Sequence, residues 1–154
     1  MTKEQDKKNI YKLKIFTVPY NIAPIKDNFS SPTHSTPKPS KEQIIHQAFK
    51  FHSQGKVKEA SKYYQHFINQ GFKDHRVYSN HGGILQSLGK LEDAEHWYLK
   101  AIELKPDMAE VHGNLANVLK NLGKLKDAEL SYRRAIKIKN DYAEAYNNLG
   151  SILI

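Results

Sequence analysis

Slid by 34 residues, this sequence lies over itself. Gly55, Gly89 and Gly123 fall on one register, each followed by a lysine (Lys56, Lys90 and Lys124). Ala60, Ala94 and Ala128 make a second register, and Tyr64, Tyr98 and Tyr132 a third. Such a chain is built from copies of one supersecondary unit, none of which can bury its apolar face alone, so the copies must stack. The period therefore points to a binding surface before it points to chemistry.

Within each copy the apolar residues recur at helical spacing. Ile44, Ile45, Ala48, Phe49 and Phe51 form one run, which stops at Gly55, a residue suited to the left-handed turn after a helix end. Val57, Ala60, Tyr63, Tyr64, Phe67 and Ile68 form the next. The pair is predicted again over 75–88 and 91–105, and over 109–122 and 125–139, with Pro106 marking the exit of the second pair. A further first-helix copy is predicted from about Ala143 to Ile154. Order is expected to begin at Ser40, which forms a capping box with Gln43 behind the helix-discouraging Pro37 and Pro39. Small residues recur where helices must approach: Ala48, Gly82, Ala116 and Gly150 at one place, and the alanine register at another. A larger side chain there should hold the helices apart, typically costing about 1–3 kcal/mol.

Residues 1–40 differ in kind. The stretch from Asn28 to Ser40 is rich in Ser, Thr and Pro, and Lys3 to Lys8 is strongly polar, so this part reads as a disordered tail or linker. Tyr11 to Val18 partly alternates and is β-prone, which is read as a transient extended segment. Asn28-Phe29-Ser30 matches a glycosylation acceptor, but no secretory signal accompanies it.

The formal charge of +8 is unevenly spread: +4 in residues 1–40, +3 in 41–74, −1 in 75–108, +3 in 109–142 and −1 in 143–154. Half of it lies in the tail rather than along one face, so nucleic acid is not an expected partner. Cysteine is absent, which excludes disulfides and thiolate metal sites. No apolar run approaches the ~20 residues of a membrane span. A soluble, cytoplasmic protein is the expectation.

Residues 41–142 resemble three tetratricopeptide repeats, at 41–74, 75–108 and 109–142, with 143–154 as the first helix of a truncated fourth. Gly113-Asn114-Leu115-Ala116, then Leu122-Gly123-Lys124 and Ala128 to Ala135, follow the family pattern closely. The resemblance implies an all-α fold, a right-handed α-solenoid of helix-turn-helix units after the tail. Departures are Gln47 and His81 where Leu115 and Leu149 stand, Asn140 in place of the proline at Pro106, and Phe67 where Ala101 and Ala135 stand.

Catalytic motifs are missing from the sequence: no phosphate-binding glycine loop, no His-Glu-x-x-His and no Gly-x-Ser-x-Gly. No catalytic residue, cofactor or metal site is assigned, and the chain is read as a non-enzyme. His46 with His52, and His75 with His81, are six residues apart and fall on different helix faces, so the histidines are expected to face solvent or a groove. Lys56, Lys90 and Lys124 are expected to meet carbonyls at the preceding helix ends.

Asn80, Asn114 and Asn148 recur at the sixth place of successive first helices. The row resembles the asparagine ladder of O-GlcNAc-transferase-type proteins, where side-chain amides hold the backbone of an extended peptide in the concave groove. An amide both donates and accepts, so it can bind a peptide unit whatever its side chain. By the same resemblance Asn117, Asn121, Arg76, Gln86, Phe49 and His46 line the groove, His46 replacing the asparagine in the first repeat. The carboxylate clamp of some relatives needs basic groups where Ile45, Glu110 and Asn114 stand, so a reader of C-terminal carboxylates is not expected.

The expected function is non-catalytic protein–protein interaction, with an extended protein or peptide segment in the groove. The alternative is the substrate-recognition part of a glycosyltransferase or other transferase whose catalytic domain is absent from this chain. An anionic-polymer binder using the tail with Lys126, Arg133, Arg134, Lys137 and Lys139 is a third reading. The open face of the last helix, with Tyr146, Leu149, Ile152 and Leu153, suggests a fragment, a truncated product or end-to-end self-association.

Overall fold

The computed structural model describes residues 38–153. The extended segment at Tyr11 to Val18, the Asn28-Phe29-Ser30 motif and nearly all of the tail lie outside the described residues. Within them are seven α-helices and no strand. They divide into two units, one ending at Phe72 and the other beginning at Lys73.

The first unit is a hairpin of α1 (Lys41–Ser53) and α2 (Val57–Asn69). Its start is the capping box: Ser40 Oγ accepts from the Gln43 amide at 3.2 Å, and Gln43 Oε1 accepts from the Ser40 amide at 2.8 Å. The turn closes on Gly55 at φ 71°. There the Gly55 amide donates to the His52 carbonyl at 3.0 Å and the Lys56 amide to the Phe51 carbonyl at 2.9 Å. The pattern satisfies helix-end carbonyls with local donors.

The second unit contains α3 (His75–Ser87), α4 (Leu91–Leu104), α5 (Ala109–Asn121), α6 (Leu125–Ile138) and α7 (Ala143–Gly150). Helices α3 and α4 form one hairpin and α5 and α6 the next; α4 packs on α5, and α6 on α7. The same turn recurs at Gly89 and Gly123, where the Lys90 and Lys124 amides each donate across 2.9 Å to the Leu85 and Leu119 carbonyls. It is thus the backbone of these lysines that meets the helix ends, not the side chain. Lys124 Nζ instead reaches Glu95 at 2.7 Å, and Lys56 Nζ lies over the Phe51 ring.

The repeated small and aromatic residues form the cores. Ala60, Ala94 and Ala128 are fully buried, as are Tyr64, Tyr98 and Tyr132. A methyl group on Gly82 would stand 3.1 Å from the Tyr98 ring, which explains a residue without a side chain at that crossing.

Two expectations require correction. Helix α7 ends at Gly150 instead of continuing to the last residue. Glycine is a weak helix former, and Ser151 Oγ donates to the Asn148 carbonyl at 2.7 Å, so a local turn replaces the next helical bond. Several histidines are core residues rather than solvent- or groove-facing ones: His52, His81 and His112 are buried. His52 Nδ1 lies 2.9 Å from the Tyr64 hydroxyl. The His81 ring stands edge-on to Trp97 with centroids 5.5 Å apart, and His112 Nε2–H donates to the Pro106 carbonyl at 2.9 Å. Burial pulls His52 and His81 down to about 4, so both rings are neutral at pH 7.

Candidate functional site

Helices α3, α5 and α7 are the first helices of successive repeats, and they carry Asn80, Asn114 and Asn148 at equivalent places. Equivalence of place does not bring equivalence of environment. Asn80 is only 5% exposed, and its Nδ2 has no hydrogen-bond partner. Burying such a donor unsatisfied costs roughly 1–3 kcal/mol, so the site is short of one acceptor. Asn114 is half-buried. Asn148 is half-buried too, but its Nδ2 donates to Asn117 Oδ1 at 3.0 Å.

Asn117 is a junction. Its Oδ1 also accepts from the Tyr132 hydroxyl at 2.5 Å, so α5, α6 and α7 meet on one oxygen. One repeat earlier the equivalent place is Gly83, which has no side chain to offer. The Tyr98 hydroxyl therefore turns to Gln86 Oε1 at 2.8 Å, and Asn114 has no counterpart of the Asn117 amide. Gln86, read from the sequence as a groove residue, is thus engaged with the core tyrosine.

Arg76 lies at the start of α3, where the N-cap Asp74 holds it. Asp74 Oδ1 accepts from the Arg76 amide at 2.9 Å and from Nε at 3.0 Å, and Oδ2 accepts from Nη2 at 2.8 Å. Burial alone would raise the Asp74 carboxyl, but the hydrogen bond and charge of Arg76 outweigh it and hold the carboxyl below its usual range. Asn121 is exposed at the end of α5. His46 and Phe49 belong to α1 in the first unit, where Phe49 is buried with its ring edge-on to Tyr64.

Sequence reading placed Glu110 on the groove face without giving it a role, and left Glu144 and Tyr142 out of the site. Glu110 and Glu144 hold the second place of α5 and α7, four residues before Asn114 and Asn148 and so on the same helical face. Tyr142 lies over Gly113, with its hydroxyl oxygen 2.9 Å from where a Cβ would stand. Burial pushes that hydroxyl up to about 12, and the charges of Glu144 and Glu110 push in the same direction. The signal was available in the register: Glu42, Arg76, Glu110 and Glu144 are each 34 residues apart.

Among the described residues no group of three His, Asp or Glu side chains could hold a metal ion, and no helix is long and apolar enough to cross a membrane.

Residues 74–141 match the family model described as tetratricopeptide repeat. A search of curated protein sequences gave no match. Among solved structures, the first TPR of Spaghetti (RPAP3) bound to an HSP90 peptide is similar with a TM-score of 0.67 and 22% identity, over 73% of this chain and 90% of that one. The type III secretion translocator chaperone SycD of Yersinia enterocolitica gives a TM-score of 0.65 and 23% identity, over 73% of this chain and 82% of its own. An O-GlcNAc transferase of Thermobaculum terrenum gives 0.64 and 21%, over 73% of this chain but only 22% of the transferase. At these identities the likeness is one of fold. The helix pairs, the glycine turns and the small-residue crossings agree with that fold, and residues 74–141 are the part of the chain that matches the tetratricopeptide-repeat family.

Proposed function

We propose that the chain is a protein-interaction module that holds an extended peptide segment along the first-helix face of residues 73–154, with the asparagine row beneath the peptide backbone. The observation that carries this reading is the Asn80 amide nitrogen, buried and without an acceptor. A peptide carbonyl would satisfy it once the side chain turns outward from its buried place, and the half-buried Asn114 and Asn148 can bond the next peptide units. Solved tetratricopeptide structures include one with a bound peptide, which is consistent with this use of the fold.

The test is a display selection of random peptides against the full chain, followed by affinity measurements on the selected peptide. Combined Asn80→Ala, Asn114→Ala and Asn148→Ala should weaken binding about tenfold or more, since each bond contributes roughly 0.5–1.5 kcal/mol. Methylating alternate peptide nitrogens should weaken it as well, because the backbone is what is read. Equal affinity for the triple variant and the parent chain would sink the reading.

A further inference from the structure

A second surface of the 73–154 unit carries charge that the fold does not need. Helix α6 buries Ala128, Tyr132 and Ala135. On its opposite side Lys126, Leu130, Arg133, Arg134 and Lys137 are all exposed, and at 3.6 residues per turn they share an arc of about 100°. Leu130, at 66% exposure, is the most exposed large apolar side chain among the described residues, and it stands mid-helix between the cations. Arg133 pairs with Glu129 at 2.8 Å, but among the described residues Lys126, Arg134 and Lys137 have no carboxylate partner. Lys139, grouped with them in the sequence, is engaged elsewhere: its Nζ lies 5.5 Å from the centroid of the Tyr142 ring.

One repeat earlier, on α4, Glu92 and Glu103 stand where α6 has Lys126 and Lys137. Acid and base are both accepted at these places, so packing does not select the cations. The helix dipole favours Lys137 in the last turn of α6 but disfavours Lys126 in the first.

The basic stripe is also narrow. Asp127 and Glu129 edge it on α6, and Glu92, Asp93 and Glu103 are exposed on α4, which Lys124 ties to the start of α6 through Glu95. A bilayer or a nucleic-acid duplex brings a broad field of negative charge, which would meet these acids as well as the cations. A single nucleic-acid strand is held by stacking on aromatic rings, and the stripe presents none. What fits is a slender acidic element with an apolar residue of its own. From Lys126 to Lys137 the stripe is about 16 Å long, with the three- and four-residue spacing along which one helix packs on another.

We propose that α6 docks an acidic amphipathic helix of a partner protein, its carboxylates reaching Lys126, Arg134 and Lys137 and an apolar side chain covering Leu130. The contact does not use the asparagine row, so it stands or falls apart from the groove reading.

The experiment uses the full chain and labelled, alanine-rich helical peptides. One carries a single leucine with glutamates three, four and seven residues to either side, all on one face. A second has the same composition with the glutamates dispersed around the helix, and a third has glutamine for glutamate. Fluorescence anisotropy at physiological ionic strength should show the striped peptide binding about tenfold tighter than either control, as a few exposed ion pairs allow. Lys126→Glu combined with Lys137→Glu, the residues found on α4, should remove that preference. Leu130→Gln should weaken binding about threefold, and Asn80→Ala should leave it unchanged. Melting curves follow the fold. Should the double variant unfold, Lys126→Glu alone should cut the preference about threefold, and added salt should erase what is left.

Equal binding of the striped and dispersed peptides overturns the proposal, as does an affinity that ignores both charge reversals or a failure of all three peptides to bind. Tighter binding of heparin, single-stranded RNA or phosphatidylserine vesicles that depends on Lys126 and Lys137 overturns it too, and makes the stripe a polyanion site.

Discussion

Asn148 Nδ2 donates to Asn117 Oδ1 across 3.0 Å, tying α7 to α5. Because the Tyr132 hydroxyl donates to the same oxygen, removing Asn117 strands two donors, whereas removing Asn148 strands none. Asn117→Ala should therefore destabilise the 73–154 unit more than Asn148→Ala, by about 1–3 kcal/mol against about 1. A double-mutant cycle in urea should show coupling of roughly 0.5–1.5 kcal/mol. Amide exchange in α7 should quicken in both variants; additive effects with α7 unaffected would show that the bond contributes nothing.

Gly82 and Gly113 should respond in opposite ways to alanine. Both gain helix propensity, about 0.8–1 kcal/mol relative to glycine. At Gly82 the new methyl meets the ring of Tyr98 at 3.1 Å, and that ring is fully buried with its hydroxyl bound to Gln86. At Gly113 the closest atom is the hydroxyl of Tyr142, the far end of a side chain that can swing away. Gly82→Ala should lower stability by about 1 kcal/mol despite the propensity gain, and Gly113→Ala should leave it unchanged or raise it. Thermal melts of the two variants decide the matter.

Acid should unfold both units through their buried histidines. In the unfolded chain His52 and His81 take up a proton near pH 6.5. In the folded chain burial delays this to about 4. Between those values the unfolded state binds more protons, so stability is full above about 6.5 and falls as the pH drops towards 4. Each ring contributes up to about 1.4 kcal/mol per pH unit in that window. His81→Leu, which places there the residue found at Leu115 and Leu149, should flatten the slope for the second unit in urea melts from neutral pH to pH 5. An unchanged slope would show that His81 titrates normally.

Lys124 and Glu95 join the turn before α6 to α4 in a 2.7 Å ion pair with Lys124 partly exposed. Such pairs contribute little. Glu95→Gln should shift stability by less than about 0.5 kcal/mol, and added salt should erase the difference between the variant and the parent chain.

The helices were legible because their punctuation is covalent. A glycine needed at positive φ, a small residue needed at a crossing and a tyrosine needed in the gap each leave a mark every 34 residues, and the boundaries of α3 to α6 fall within a residue of those expected. Burial of His81 was less legible because imidazole is polar by class. The clue was its place, shared with Leu115 and Leu149, where an apolar ring face could substitute for leucine. The asparagine row was visible as a row, but the bonding within it was not. That depends on Asn117 opposing Asn148 while Gly83 fills the equivalent place one repeat earlier, a difference between copies that the period itself hides.

That difference between copies has a consequence for anything laid along the row. Identical rungs would accept the same strand in several frames, each shifted by one unit and equal in energy, and the strand would slip among them. Here one rung lacks an acceptor, the next stands beside a bare backbone and the last is already tied. The frames are unequal, so a ladder built by copying acquires a top and a bottom, and a strand laid on it as proposed would have one place to start.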